Sequence, residues 1–280
     1  MNSLLVKQKL AVFLTEDIQQ EDLSANAIFT DQQQGEGVFI AKGSGILAGS
    51  DLAEEAYDLL GGQVAITKMK QDGDAVEPLD ELLVVQGPIR TLLSAERVIL
   101  NLMQRMSGIA TLTHQAVKAL DDPDMRITDT RKTAPGLRIF DKYAVKIGGG
   151  TNHRFGLYDG IMLKDNHIAF AGGIQEAVRA ARQAAGQMVK IEVEIETKAQ
   201  LLEAIEAEAD IIMFDNRTPE EIKNWQPLVP QSIQTEISGG ITMDDLPSYR
   251  GTGAHSLSLG FLTHSVQALD ISFNYKGEKE

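Results

Sequence analysis

Cysteine is absent from all 280 residues, which excludes a disulfide scaffold, thiolate zinc sites, iron–sulfur clusters and a cysteine nucleophile. A reducing compartment follows, and the expected location is the cytoplasm. Proline is sparse, 8 residues, and with 43% hydrophobic and 24% charged content the composition excludes collagen-like and disordered chains. Positive charge is also short: 26 basic residues face 40 acidic ones, a net −14, so no basic face is available for general nucleic-acid binding. Long apolar runs are missing too. The first, LAVFL, ends before Glu16 and Asp17, too short for a signal-peptide core or a membrane span. What remains is a globular protein long enough for one large domain or two medium ones, able to bury about three quarters of its unfolded surface.

The sparse positive charge is concentrated. Between residues 126 and 164 there are eight Lys or Arg (Arg126, Arg131, Lys132, Arg138, Lys142, Lys146, Arg154, Lys164) against three acids (Asp129, Asp141, Asp159). A basic island in an acidic chain suits a focused site for a small polyanion. Gly, Pro and small polar residues interleave the charges, unlike the pattern of a simple amphipathic helix.

The first hundred residues carry strand-like runs, GVFIAKG and VAITKM, around a helical segment DLAEEAYDLL that stops at Gly61-Gly62. A longer helix is expected from Leu92, Ala95, Ile99, Leu102 and Met106, broken at Ser107-Gly108, where a domain boundary is placed. Beyond it, Ile- and Val-rich runs alternate with helical segments: VKIEVEI with AQLLEAIEAEA, DIIMF with TPEEIKNW, IQTEI with TMDDLPSY, then SLSL. Repeated βα units mean a parallel sheet. Glu194, Asp215, Ser238-Gly239-Gly240 and Gly260 close successive strands at separations of 21, 23 and about 20 residues, so they share one rim. In an α/β barrel that rim binds substrate; an open doubly wound sheet has the same local pattern.

On that rim EISGGIT places two glycines where the backbone can approach an anion, with helix N–H groups to follow, and Leu259-Gly260-Phe261 offers a second turn beside it. Glu194 and Asp215, one strand apart, suit sugar hydroxyls or Mg²⁺ held through water. Glu192 shares their face but lies deeper, as a buried ion-pair partner. Arg131-Lys132 follows the strand-like MRIT and Lys164 follows GIML, while His153 and Arg154 come after Gly148-Gly149-Gly150, read as a mobile loop. Arg forks match planar carboxylates and Lys supplies compact charge, a mix for an aromatic di-acid plus phosphates.

At these residues the chain resembles a known family. DTRKTAPGLR, GGGTNHRFGLYDGIMLKDNH, SAERVILNLMQRMSGIAT, the SGGI loop and LGFLTHSVQALDIS, in order from about residue 37 to 273, look like quinolinate phosphoribosyltransferase, also called nicotinate-nucleotide pyrophosphorylase (carboxylating). The resemblance implies an N-terminal α/β sandwich over residues 1–107 and an incomplete TIM-like α/β barrel over 108–268, with 269–280 returning to the first domain. It implies transfer of phosphoribose from phosphoribosyl pyrophosphate to quinolinate, with release of pyrophosphate and CO₂, using Mg²⁺, in NAD biosynthesis. Arg131, His153 and Arg154 would hold the quinolinate carboxylates, with Arg97 supplied by the partner in a homodimer or larger assembly with shared active sites. Lys132 and Lys164 would lie between the two substrates. Glu194 and Asp215 would bind the ribose hydroxyls and organise the metal. Ser238, Gly239, Gly240 and Gly260 would hold the 5-phosphate.

Three departures from the family pattern stand out: Ile237 in place of a small Ala, His255 in place of an acid, and EDIQQEDLS without the usual glycines. The first two are expected to border the phosphate loop. A molybdate-transport-associated paralogue of the same fold and a non-catalytic sugar-phosphate sensor are the alternatives. The retained Arg97, Arg131, His153 and Arg154 favour quinolinate.

Overall fold

Period-2 alternation in the first ninety residues produces strands, and the structure, a computed structural model that describes residues 1–276, pairs them antiparallel. Helices α1 (Ser3–Ile18) and α2 (Leu23–Ile28) come first, opened by Asn2 and Asp22, whose side chains accept first-turn N–H groups. Then follow β1 (Gln34–Ala41), β2 (Gly45–Ile46), α3 (Leu52–Leu59), β3 (Ala65–Lys68), β4 (Ala75–Val76) and β5 (Glu81–Pro88). β2 and β4 make a small ribbon; the main sheet has β5 and then β3 on one side of β1 and the chain's last strand, Ile271–Tyr275, on the other.

That returning strand is fixed by aromatic packing. Phe273 pairs with Phe39 in register, their rings 4.9 Å apart and tilted by 54°. A Cβ on Gly37 would lie 2.1 Å from the Phe273 ring, so this position needs glycine for closeness rather than for backbone freedom. Of the segment expected to return, 269–280, residues 277–280 lie outside the described residues.

The helix expected to break at Ser107-Gly108 does not break. α4 (Ile89–Leu120) runs through it for 32 residues. Ser107 Oγ accepts the Ala48 N–H at 3.0 Å and donates to the Ala48 carbonyl at 3.3 Å. A Cβ on Gly108 would sit 2.2 Å from the Gln267 carbonyl oxygen. Both small residues thus admit neighbouring backbone to the helix surface, and the buried stripe continues through Ile109, Ala110, Thr113, Ala116 and Leu120. Gly148 acts similarly: it is buried, and a Cβ there would meet the Ala110 carbonyl at 2.4 Å, a packing need in place of the expected loop mobility.

By its packing the chain divides into two compact units. One comprises Met1–His114, Ala134–Gly149 and the described residues from Ser265; the other comprises Gln115–Thr133 and Gly150–His264. The second holds β6 (Arg126–Thr128), and the first takes the helix that follows, α5 (Arg138–Ile147). The second unit then alternates β7 (Ile161–Leu163), α6 (Asp165–Ala171), α7 (Ile174–Ala184), β8 (Ile191–Ile195), α8 (Lys198–Glu206), β9 (Ile211–Asp215), α9 (Pro219–Trp225), β10 (Gln234–Ser238), α10 (Leu246–Tyr249), β11 (Ser256–Ser258) and α11 (Phe261–His264). Thr197 and Thr218 open α8 and α9 as capping boxes with Gln200 and Glu221.

All six strands are parallel, in the order β6-β11-β10-β9-β8-β7. β6 and β7 are the two ends of that order, which makes the unit barrel-like and incomplete, as expected. Ile191, Val193 and Ile195 of β8, Ile212 and Phe214 of β9, and Ile237 of β10 are buried in alternation with cavity-lining residues, so the apolar set packs outward beneath the helices. Period 2 then turns Glu192 and Glu194, Met213 and Asp215, and Glu236 and Ser238 to the interior.

Candidate active site

At the carboxyl ends of these strands lies a cavity of about 500 Å³. Every predicted site residue except Arg97 and Gly260 lines it: Arg131, Lys132, His153, Arg154, Lys164, Glu194, Asp215, Ser238, Gly239 and Gly240. Gly260 stands just behind, and a Cβ on it would come within 3.0 Å of Lys132 Cδ. Its lack of a side chain lets the Lys132 stem pass, while Thr263 Oγ donates to the Lys132 carbonyl at 3.0 Å. Arg97 belongs to the other unit, on α4, where it is 59% exposed, pairs with Glu96 at 3.5 Å and lines a separate cavity with Glu16, Asn101 and Arg105.

The basic island is therefore not one cluster. Arg131, Lys132, Arg154 and Lys164 converge on the cavity. Arg138, Lys142 and Lys146 lie on α5 in the other unit, Lys142 buried and Lys146 exposed. The interleaved glycines and prolines hid this helix from the sequence pattern.

Arg154 is held from two sides. Its Nη1 donates to the Gly160 carbonyl at 2.8 Å, and its backbone N–H donates to His153 Nδ1 at 2.8 Å. Burial lowers the guanidinium pKa below its ordinary value and the nearby positive charge of Arg131 lowers it further, against Glu192, Asp159 and Glu194. Two guanidinium groups close enough to repel are relieved by an anion between them. Asp129, fully buried one residue after β6, fixes the same segment: it accepts the His153 N–H at 2.9 Å and Asn152 Nδ2 at 2.6 Å.

The His153 ring is engaged at both nitrogens. Nε2 lies 3.0 Å from Glu192 and 3.4 Å from Glu236, both buried. Burial works to lower the imidazole pKa, but the two carboxylates outweigh it and raise it to about 10. Nδ1, the atom that would take the second proton, accepts the Arg154 N–H, so that contact works against the protonation the carboxylates favour and leaves Nε2 as the site of the ring's first proton. Burial raises Glu192 above the ordinary carboxylate range, with Glu236 and Glu194 adding to it and His153 opposing. Glu192 is thus the buried partner its position suggested. The His153 ring, which lines the cavity, is thus held through Nε2 by two of the protein's own acids.

Glu194 pairs with Lys164 Nζ across the β7–β8 step, and Asp215 accepts Asn216 Nδ2 at 2.8 Å. The glycine loop beside them has Gly239 at φ 98° and Gly240 at φ 62°, both left-handed. A Cβ on Gly239 would meet Asn216 Oδ1 at 2.3 Å. The helix expected to follow this loop begins only at Leu246 and is four residues long, because Thr242 and Asp245 close a turn first. An anion held here would meet the loop backbone, without a helix terminus directly behind it.

Neither departure borders the loop's cavity. The Ile237 side chain is fully buried on the outward face. His255 stands at the amino end of β11, with Nδ1 3.0 Å from the Thr235 N–H, and lines a second cavity on that side of the sheet. The residues that sequence reasoning missed are Glu236, Asp129 and Asn216. Glu236 was within reach, since it precedes Ser238 by two as Glu192 precedes Glu194.

Comparison with known proteins matches the description "Quinolinate phosphoribosyl transferase, N-terminal domain" to residues 22–107 and "Quinolinate phosphoribosyl transferase, C-terminal domain" to residues 109–274. A Bacillus subtilis protein named probable nicotinate-nucleotide pyrophosphorylase [carboxylating] is 54% identical over 274 residues, covering 98% of this chain and 94% of that protein. The rat nicotinate-nucleotide pyrophosphorylase [carboxylating] is 37% identical, covering 92% and 89%. Among solved structures, NadC from Streptococcus pyogenes superimposes with a TM-score of 0.94 at 41% identity and 99% coverage of both chains.

Proposed function

The chain belongs to the quinolinate phosphoribosyltransferase family, and we propose that the cavity at the carboxyl end of its parallel sheet is where it joins phosphoribosyl pyrophosphate to quinolinate. The activity is that of nicotinate-nucleotide pyrophosphorylase (carboxylating), a phosphoribosyltransferase of NAD biosynthesis. One observation carries the placement of the chemistry: groups suited to each reacting part line one cavity at the carboxyl ends of the parallel strands. Arg131 and Lys132 after β6 and Lys164 after β7 supply cations, Glu194 and Asp215 on β8 and β9 supply carboxylates, and Ser238 at the end of β10 with Gly239 and Gly240 after it supplies N–H groups for a phosphate.

Charge explains the steps. The guanidinium forks of Arg131 and Arg154 hold the two ring carboxylates, with Arg97 of a second copy completing the set in a dimer. Loss of pyrophosphate leaves positive charge on the anomeric carbon, which Glu194 and Asp215 stabilise, while Lys132 and Lys164 neutralise the leaving group. The donor set also fits Mg²⁺: Glu194 and Asp215 are hard oxygen ligands one strand apart, and they would hold it through water. When bound, it supplies charge neutralisation at the pyrophosphate. After ribosylation the ring nitrogen is cationic and stabilises the carbanion left as CO₂ departs; that carbon then takes a proton from water, so no acid or base residue of the protein is required. Among the described residues no helix is long and apolar enough to cross a membrane. The cytoplasm is the proposed location, on the cysteine-free composition.

The test is CO₂ release with quinolinate, donor and Mg²⁺, with nicotinate as the decoy. Quinolinate should yield nicotinate mononucleotide, and nicotinate little or none, because a mono-acid leaves part of the cation set unmet at a cost of about 1–3 kcal/mol per group. Equal turnover of the two acids would sink the assignment. Arg154→Lys keeps the charge and loses the fork. Its kcat/KM for quinolinate should fall by roughly ten- to hundredfold, about 1.4 to 2.7 kcal/mol. Unchanged efficiency would return Arg154 to an ordinary surface charge.

A further inference from the structure

A second cavity, of about 430 Å³, lies at the amino ends of the same strands, where Arg126, Lys190, Gln234 and His255 line it. His153, Arg154 and Glu236 line both cavities and so form the layer between them. Within that layer one oxygen of Glu192 and one of Glu236 are buried without a hydrogen-bond partner. Two buried carboxylates with unmet oxygens weaken a fold, and apolar residues of similar volume would cost less. Their presence calls for a task other than stability.

A metal centre is the first candidate, because His153, Glu192 and Glu236 each offer a ligand atom within 4.8 Å of the others. The tautomer speaks against it. A neutral imidazole that binds a metal through Nε2 must carry its proton on Nδ1, and here Nδ1 accepts the Arg154 N–H at 2.8 Å. The proton belongs on Nε2, facing the two carboxylates.

We propose that Glu236, with Glu192, is a positioning residue for the acceptor acid: it orients the His153 ring, whose Nδ1 fixes the Arg154 backbone and hence where that guanidinium meets a substrate carboxylate. The proposal rests on the cavity being the quinolinate site. Its chain of contacts is short. β10 and β8 hold the carboxylates, these hold Nε2 at 3.4 and 3.0 Å, and Nδ1 holds the Arg154 N–H. Asp129 holds the intervening backbone through the His153 N–H, the carboxylates hold the ring, and the Gly160 carbonyl holds the Arg154 guanidinium at its far end. Displacing a guanidinium by about 1 Å is enough to cost binding a large factor.

The experiment compares Glu236→Ala, Glu236→Gln, His153→Ala and the double variant Glu236→Ala/His153→Ala, with KM for each substrate, kcat, melting temperature, and quinolinate affinity by calorimetry. Glu236→Ala should raise KM for quinolinate about tenfold, with KM for the phosphoribosyl donor and kcat within about threefold. Glu236→Gln, whose carbonyl still accepts the Nε2–H, should recover most of that loss. The double variant should be no weaker toward quinolinate than His153→Ala alone, since residues acting through one another are not additive. Additive losses, equal rises in both KM values, or a lowered melting temperature with KM unchanged would each overturn the proposal. So would stoichiometric Zn²⁺ binding by the wild type that disappears in Glu236→Ala. Calorimetry separates the two levels: if the wild type binds quinolinate without turning it over, the functional reading fails while the positioning role is still tested by affinity.

Discussion

Glu194→Gln together with Asp215→Asn is expected to lower kcat by a factor on the order of 10³ or more while leaving quinolinate affinity within about threefold. Both side chains keep their shape and lose only their charge. In the structure Glu194 pairs with Lys164, and Asp215 lies one parallel strand further round the same cavity. In the proposed mechanism their charges stabilise the anomeric carbon as it becomes cationic, and removing one preorganised group of this kind typically costs 10²–10³ in rate. The cations proposed to grip the acceptor are carried by the segment after β6 and by residues 153–154, so their hold on quinolinate should survive. Excess Mg²⁺ should not restore the rate, because in the proposed mechanism the lost groups act on the sugar as well as on the metal. A double variant that keeps a tenth of wild-type kcat would remove both carboxylates from the mechanism.

Much of the second unit was legible because period-2 alternation and βα spacing are local properties. VKIEVEI, DIIMF and IQTEI each contain a strand of the parallel sheet, and the polar residues at their ends do line one cavity. Long-range packing was not legible. Ser107 and Gly108 carry the composition of a helix stop, yet they are small because Ala48 and Gln267 come close to α4. Nothing local distinguishes a glycine that ends a helix from one that admits a neighbouring carbonyl. The same holds for Gly148 against Ala110 and for Gly37 beneath Phe273.

The candidate site shows a similar division. Residue type and motif placed the cations, the carboxylates and the glycine loop, because each type does a distinct kind of chemistry at a strand end. The partners that orient them were missed. Glu236 and Asp129 sit inside recognised motifs, but their role depends on which side chains meet across the barrel, and only the structure sets the His153 ring against both acids and Asp129 beneath its backbone. Asn216 was silent for another reason: its φ of 53° is a conformation that Asn tolerates better than most residues, and there its N–H bonds the Ser238 carbonyl at 2.9 Å. Second-layer residues of this kind carry little signal in composition or periodicity.

Arg97→Ala and Lys132→Ala are each expected to be nearly inactive as pure proteins, and an equal mixture refolded together is expected to regain about a quarter of wild-type activity. Lys132 lines the barrel cavity beside Gly260, whereas Arg97 lies exposed on α4 of the other compact unit, next to Glu96. If Arg97 serves the site of a second copy, a mixed dimer has one site that inherits both defects and one that inherits neither. Random pairing makes about half of the dimers mixed, and one intact site in each of these amounts to about a quarter of all sites. If Arg97 serves its own chain, every site keeps one defect and the mixture stays inactive. The measurement is therefore specific activity of the mixture, alongside proof of mixed dimers by differential tagging. Tagged mixed dimers without activity would refute the shared site and leave the reaction itself untouched, since Arg131 and Arg154 would then hold quinolinate without help from a neighbour.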